Sequence, residues 1–244
     1  MNRLDGKVAL ISGAARGIGG ETARLVVEAG ATVAIGDVLD ERGRETARTL
    51  GGAALYVHLD VTREEDWTAA VAAALARFGK LDILVNNAGM FLGKDIEAAS
   101  LAEWERLCAV NLTGVFLGTK LCLPALREAA QQSPHGSAIV NLASTAGLVG
   151  STQDPLYSMT KGGVTLFYKI CRAGICPQGI PYSGQLDASR HDRHRYGRPG
   201  AGYAGAQSRH QRHRGGASPG HRASADRPHG HARRYRQGHR VPRL

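Results

Sequence analysis

The sequence predicts an α/β domain, a doubly wound parallel sheet. Short apolar runs alternate with longer helical patterns through residues 1–169, as in a sheet whose strands are joined by helices. The runs at 8–12, 32–36, 54–58, 82–85 and 138–142 are almost continuously apolar, which suits strands covered on both faces. Polar residues recur just beyond the runs, at Asp37, Asp60, Asn87 and Ser144. Ligands on parallel sheets bind beyond the carboxyl ends of the strands.

The first run leads into Ser12-Gly13-Ala14-Ala15-Arg16-Gly17-Ile18-Gly19, and residues 20–28 read as a helix. A glycine-rich turn between strand and helix lets the backbone approach a pyrophosphate, and the helix N-terminus supplies N–H donors. Gly30 ends that helix, and the second strand runs to Asp37. An acidic residue about twenty positions after such a turn typically accepts from the ribose hydroxyls of adenosine and repels the extra phosphate of NADP. NAD is therefore favoured over NADP, with Arg16 as a counterweight that could pair with that phosphate.

A helix is expected over 40–50, stopped by Gly51-Gly52, followed by the third strand. Thr62-x-x-Glu65 reads as a capping box opening a helix that reaches Phe78 and stops at Gly79. The fourth strand runs into Asn86-Asn87-Ala88-Gly89. Ser100-x-x-Glu103 reads as a second capping box, opening a long helix towards Ala130 that contains Asn111. Pro124 is expected to kink or break it.

The fifth run leads to Ser144, whose hydroxyl can hydrogen-bond a substrate oxygen. Tyr157 and Lys161 follow, four apart and hence on one face of a helix. An ammonium beside a phenol favours the phenolate and pulls its pKa down from about 10. Such a tyrosine can exchange a proton near neutrality.

These motifs, in this order, resemble the short-chain dehydrogenase/reductase family over residues 1 to about 169, a Rossmann-type fold. The resemblance rests on Ser12-Gly13-x-x-x-Gly17-x-Gly19, Asp60-Val61, Asn86-Asn87-Ala88-Gly89, Asn111, Ser144 and Tyr157-x-x-x-Lys161. Ser12 stands where the family more often has Thr. The resemblance implies that Tyr157 is the general acid/base, that Lys161 lowers its pKa and holds the nicotinamide ribose, and that Ser144 binds the substrate oxygen. It implies that Asn111 holds a water of the proton relay, and that Asp60 and Val61 flank the adenine. Ser12, Gly13, Arg16, Gly17, Ile18, Gly19, Asp37, Asn87, Ala88 and Gly89 would complete the cofactor site. The implied activity is the interconversion of a secondary alcohol and a ketone with NAD. The opening residues 2–9 and the stretch 104–118 are similar to bacterial secondary-alcohol and hydroxysteroid dehydrogenases of the family. Ala143, Thr145, Leu148 and Val149 would form an apolar wall suited to a hydrophobic, cyclic or steroid-like alcohol. A homotetramer is usual in the family, but its contacts draw in part on the C-terminal region.

Past Lys169 the composition changes. Residues 172–244 hold 15 Arg, no Lys and 3 acids, a charge of +12 within a whole-chain charge of +10. Phe and Trp stop at Phe167, and eight of the ten histidines lie in this last part. Such a segment cannot bury enough apolar surface to offset the cost of ordering it, so a basic tail without a fold of its own is expected over 170–244. The family's next strand, Arg-Val-Asn-x-x-x-Pro-Gly, is missing. Back-translating 181–196 with free third bases, and reading one base later, restores Arg-Ile-Arg-Val-Asn-Ser-Met-His-Pro-Gly. The same shift over 228–243 yields Gly-Met-Pro-Asp-Asp-Ile-Ala, the family's later motif. The sequence therefore points to a reading-frame shift near 169–172, a sheet truncated after the fifth strand and its helix, and a written chain that folds poorly and is inactive. Non-specific nucleic-acid binding through the tail is the alternative; no specific nucleic-acid partner is expected.

No apolar run approaches the length of a membrane span and the N-terminus lacks a leader's apolar core, so a cytoplasmic protein with no membrane partner is expected. Cys108, Cys122, Cys171 and Cys176 have no metal-site spacing, so reduced thiols and no metal are expected.

Overall fold

The computed structural model describes residues 4–170. The expectations for the tail, including the missing strands, lie outside these residues. Five strands, β1 (Val8–Ser12), β2 (Thr32–Asp37), β3 (Ala54–His58), β4 (Ile83–Asn86) and β5 (Ala138–Asn141), form one sheet in the order β3-β2-β1-β4-β5. Every neighbouring pair is parallel. The chain builds outward from β1 through β2 to β3, then crosses to the other side of β1 with β4. The crevice at that reversal is where ligands bind in such sheets.

Successive strand residues point to opposite faces, so β1 feeds two cores. Leu10 faces one, with Leu59, Trp67, Leu84, Leu126 and Ile139. Ala9 and Ile11 face the other, with Ala23, Val33, Ile35 and Val85. The first is covered by α3 (Glu64–Phe78) and α5 (Gly114–Gln131), the second by α1 (Gly17–Glu28) and α2 (Asp40–Leu50). The sheet is thus wound on both sides, as its apolar strands require.

The lower ends of the strands are tied through Asp82, which is 1% exposed. Its carboxylate accepts from Val8 N–H at 3.0 Å and Lys7 Nζ at 3.1 Å, and pairs with Lys80 at 3.1 Å. A buried carboxylate is tolerable only with such partners.

Several expected boundaries move. α1 begins at Gly17, inside the glycine turn rather than after it. β4 and β5 each end on an asparagine, Asn86 and Asn141, and these pair side by side, Asn86 Nδ2 donating to Asn141 Oδ1 at 2.7 Å. The capping box at Thr62 does not form. Thr62 N–H and Oγ1 both donate to Asp60 Oδ1, so the hydroxyl is used in the turn and α3 starts at Glu64 after Arg63. The box at Ser100 does form, with Glu103 Oε2 accepting from Ser100 N–H at 3.0 Å and Ser100 Oγ accepting in return.

The long helix is interrupted, but not at its proline. α4 (Leu101–Cys108) passes into a π-turn over Ala109–Thr113 and then into α5, which runs through Pro124. A π-turn inserts one extra residue into the helix and is often found at functional sites; Asn111 lies in its middle. The span Leu101–Gln131 is also long and apolar enough, by length and composition alone, to cross a membrane. Here its apolar face, with Leu107, Val115, Leu117 and Leu126, is packed inside the domain.

Candidate active site

The glycine turn is held by the strand beyond it. Ser12 Oγ accepts from the N–H groups of Asn87 and Ala88, both at 3.1 Å. Asn87 Nδ2 returns two bonds, to Ser12 O and Gly13 O, each 2.8 Å. Gly13 has φ +67°, and a Cβ there would lie 2.8 Å from Ala88 Cα. At Gly19 a Cβ would fall 2.3 Å from Gly13 O. Side chains at these positions would collide with the turn itself and with the Asn87–Ala88 segment, so glycine is what lets the turn pack this closely. α1 has no side-chain cap, which leaves first-turn N–H groups for a ligand; Arg16 and Ile18 sit exposed at its start.

Asp37, 8% exposed, reaches back to the same turn. One carboxylate oxygen accepts from Ala15 N–H at 2.9 Å and the other from Leu39 N–H at 3.0 Å. Tyr56 donates to Asp37 O at 2.8 Å. Asp60 lies at the next strand end, its N–H donating to Asp66 Oδ2, and Val61 is buried with its carbonyl accepting from Trp67 Nε1. The structure therefore brings Ser12, Gly13, Gly17, Gly19, Asp37, Asp60, Val61, Asn87 and Ala88 to one end of the sheet.

Beyond β4 and β5 a second group converges. Lys161, on α7 (Pro155–Ile170), is 5% exposed; its Nζ donates to Leu142 O at 2.8 Å and lies 5.7 Å from the centre of the Tyr157 ring. Burial pushes the Lys161 ammonium down to about 8. A Cβ at Gly89 would lie 3.3 Å from Lys161 Nζ and 3.4 Å from Asn111 Oδ1, so the backbone of Gly89 packs closely against both. Asn111 is fully buried. Its Oδ1 accepts from Met90 N–H at 2.8 Å, and its Nδ2 donates to Met90 O and Thr160 Oγ1, both at 3.0 Å. Its side chain is therefore committed to the loop after β4 and to α7.

Ser144 lies three residues past the end of β5, ahead of α6 (Ala146–Val149). It is 8% exposed and its Oγ accepts from Ala146 N–H at 3.2 Å. α6 is pressed against α7, because a Cβ at Gly147 would sit 2.5 Å from the Lys161 carbonyl carbon. This contact fixes Ser144 relative to Tyr157 and Lys161.

Four residues of the site escape the motif reading. Thr160 bridges Tyr157 O and Asn111; Phe91 meets Tyr157 edge-on, with ring centres 5.3 Å apart. Gly147 sets the α6–α7 spacing. Asp154 caps α7, and the Asp-Pro dipeptide is a helix-start signal that could have revealed it. The others carry no local signal. Among the described residues, no group of three or more His, Cys, Asp or Glu is placed to hold a metal, and Cys108 and Cys122 are free thiols.

Known proteins match this arrangement. A family profile described as short chain dehydrogenase matches residues 7–183, running past residue 169. The 3-alpha-(or 20-beta)-hydroxysteroid dehydrogenase of Mycobacterium bovis is 46% identical over 178 residues, 73% of this chain and 66% of that protein. The chain thus spans just under two thirds of that relative's length. Trans-4-hydroxycyclohexanecarboxylate dehydrogenase of Sinomonas cyclohexanicum is 44% identical, covering 73% of this chain and 70% of its own. The crystal structure of the 3-ketoacyl-(acyl-carrier-protein) reductase from Brucella melitensis, complexed with NADH, superposes with a TM-score of 0.69 at 36% identity, over 76% of this chain and 79% of that one. By its matched residues, its sheet and its relatives, this chain belongs to the short-chain dehydrogenase/reductase family.

Proposed function

We propose that the site serves an NAD-dependent oxidoreductase that interconverts a secondary alcohol and a ketone, with Tyr157 as general acid/base. The observation that carries the reading is the convergence of the Lys161 ammonium, the Tyr157 ring and the closely approaching Gly89 backbone beyond the carboxyl ends of β4 and β5. Bound NAD would supply the hydride acceptor for the alcohol carbon, or, reduced, the donor to the ketone. The glycine turn would hold its pyrophosphate, and Asp37, Asp60 and Val61 its adenosine. The residues handle the proton and the orientation. Tyr157 Oη takes the hydroxyl proton during oxidation and returns it during reduction, while the positive charge of Lys161 favours the ionised phenol. Ser144 holds the reacting oxygen. Asn111 keeps the π-turn and the Met90 loop in place, and with both amide hydrogens so used its side chain has none to donate to the relay water that the family resemblance implies.

Asp37 favours NAD over NADP because its carboxylate would face the extra phosphate. The relatives' names support a hydrophobic, cyclic substrate: hydroxysteroid, hydroxycyclohexanecarboxylate and cyclopentanol. Leu148 and Val149 stand exposed beside the site as an apolar wall for such a molecule.

The test is to titrate NADH and NADPH by fluorescence, and to assay NAD reduction with cyclic alcohols. The written chain and a frame-restored form are compared, each with its Tyr157→Phe variant. NADH binding with turnover that falls at least about a thousandfold in Tyr157→Phe is expected. If neither form binds NADH, or if Tyr157→Phe keeps full turnover, the reading fails.

A further inference from the structure

Asp154 is fully buried and has no part in the proton chemistry above. Its two oxygens divide three backbone donors between two elements. Oδ1 accepts from Tyr157 N–H at 2.9 Å, the N-cap bond of α7. Oδ2 accepts from Leu92 N–H at 2.9 Å and Gly93 N–H at 2.7 Å, in the irregular segment after β4 and 61–62 positions away in sequence. A cap alone needs one oxygen, and a serine would suffice. The second oxygen serves a loop that has no ladder partner among the described elements. That loop is pinned again at Met90 by Asn111. Between the two pins lies Phe91, whose ring meets Tyr157 edge-on.

We propose that Asp154 is a positioning residue: it latches the Leu92–Gly93 loop to the first turn of α7, so that Phe91 and Tyr157 move as one unit and form one wall of the substrate site. The catalytic half of this inference rests on the dehydrogenase reading; the latch itself does not. Of the two pins, only the bonds to Asp154 hold Leu92 and Gly93, so that end of the loop opens when the carboxylate is removed, while the helix cap can be kept separately.

The experiment uses the full chain and Asp154→Ser, whose hydroxyl can cap α7 but is too short to reach the loop. Amide hydrogen exchange is read at single residues. In the unmodified protein, written or frame-restored, Leu92 and Gly93 should be protected although they lie outside helix and strand; exchange at unstructured rates there in a form whose β1 and β4 amides are protected overturns the latch, whatever the variant does. In Asp154→Ser these two amides should exchange at least about tenfold faster with Tyr157 N–H little changed. An unchanged loop, or an equal rise along all of α7, overturns the proposal in favour of a plain cap. In the active form, kcat/KM for cyclohexanol should fall about tenfold or more with the NADH Kd within about twofold. Unchanged kcat/KM with a loosened loop overturns the catalytic half alone. Failure of the unmodified protein to bind NADH counts against the proposed function, and the exchange result still decides the latch.

Discussion

Lys161 is a residue whose role and cost are opposed. Its ammonium is what the proposed chemistry needs beside Tyr157, yet it is buried, and desolvation lowers its pKa from 10.5 to about 8. One bond to Leu142 O does not replace the water it has lost. Below about pH 8 the folded protein carries the full penalty of the buried charge. Between about 8 and 10.5 the unfolded chain binds more protons than the folded one, so this group makes stability rise with pH in that window. Lys161→Met removes the term. The variant's stability advantage over the parent, measured by urea unfolding at fixed temperature, should therefore shrink as pH rises from 8 to 10. A gap independent of pH would show that the amine is not desolvated as its burial implies. Asp37 illustrates the other case: its carboxylate accepts from two backbone N–H donors, which ties the glycine turn to β2, in the place where the proposed function would have it meet a ribose.

At the scale of elements, the α4–π–α5 segment is the one whose shape departs from its local pattern. The apolar spacing reads as one helix, and the proline suggests where it bends. The extra residue instead enters at 109–113, where fully buried Asn111 finds both an acceptor and a donor on Met90. A buried amide with three hydrogen bonds outweighs the modest cost of one widened turn. The beginning of the segment, by contrast, follows local chemistry, and the Ser100–Glu103 box closes as its spacing says. Ser100→Ala should lower unfolding stability by about 1 kcal/mol, read by urea denaturation. Its NADH affinity should match that of the parent, because the box is exposed and shares no contact with the glycine turn. A loss of coenzyme binding in that variant would mean that α4 carries more of the site than its contacts indicate.

At the scale of the molecule, β3 and β5 are the edges of the sheet among the described residues. β5 is short and its Ile139 is fully buried. An uncovered apolar edge is an aggregation hazard, and a net stability of about 0.1 kcal/mol per residue leaves little reserve. The sequence after Lys169 carries +12, and with free third bases it can be back-translated so that two family motifs read in another frame. We therefore expect the frame-restored form to melt cooperatively and at a higher temperature than the written chain. The written chain should adhere to nucleic acid in a strongly salt-dependent way. Equal melting and equal turnover from the two forms would refute this, and the nucleotide sequence across residues 167–175 decides the frame directly.

The sequence alone determined the alternation of strand and helix, the parallel sheet, and which residues lie beyond the carboxyl ends of its strands. These follow from patterns that act over a few residues: continuous apolar runs, glycine turns, a helical spacing of four between Tyr157 and Lys161. It also placed a capping box at Thr62 that does not exist, because the Asp60 carboxylate two residues earlier takes the threonine hydroxyl. Only the tertiary structure decided that Ser12 and Asn87 lock two strand ends together across 75 positions. It likewise decided that Gly147 must be small and that Asp154 grips a loop far behind it. The reason is that these are choices of partner. A side chain's periodicity tells which face it lies on, while the donor or backbone it meets there is set by how distant elements pack.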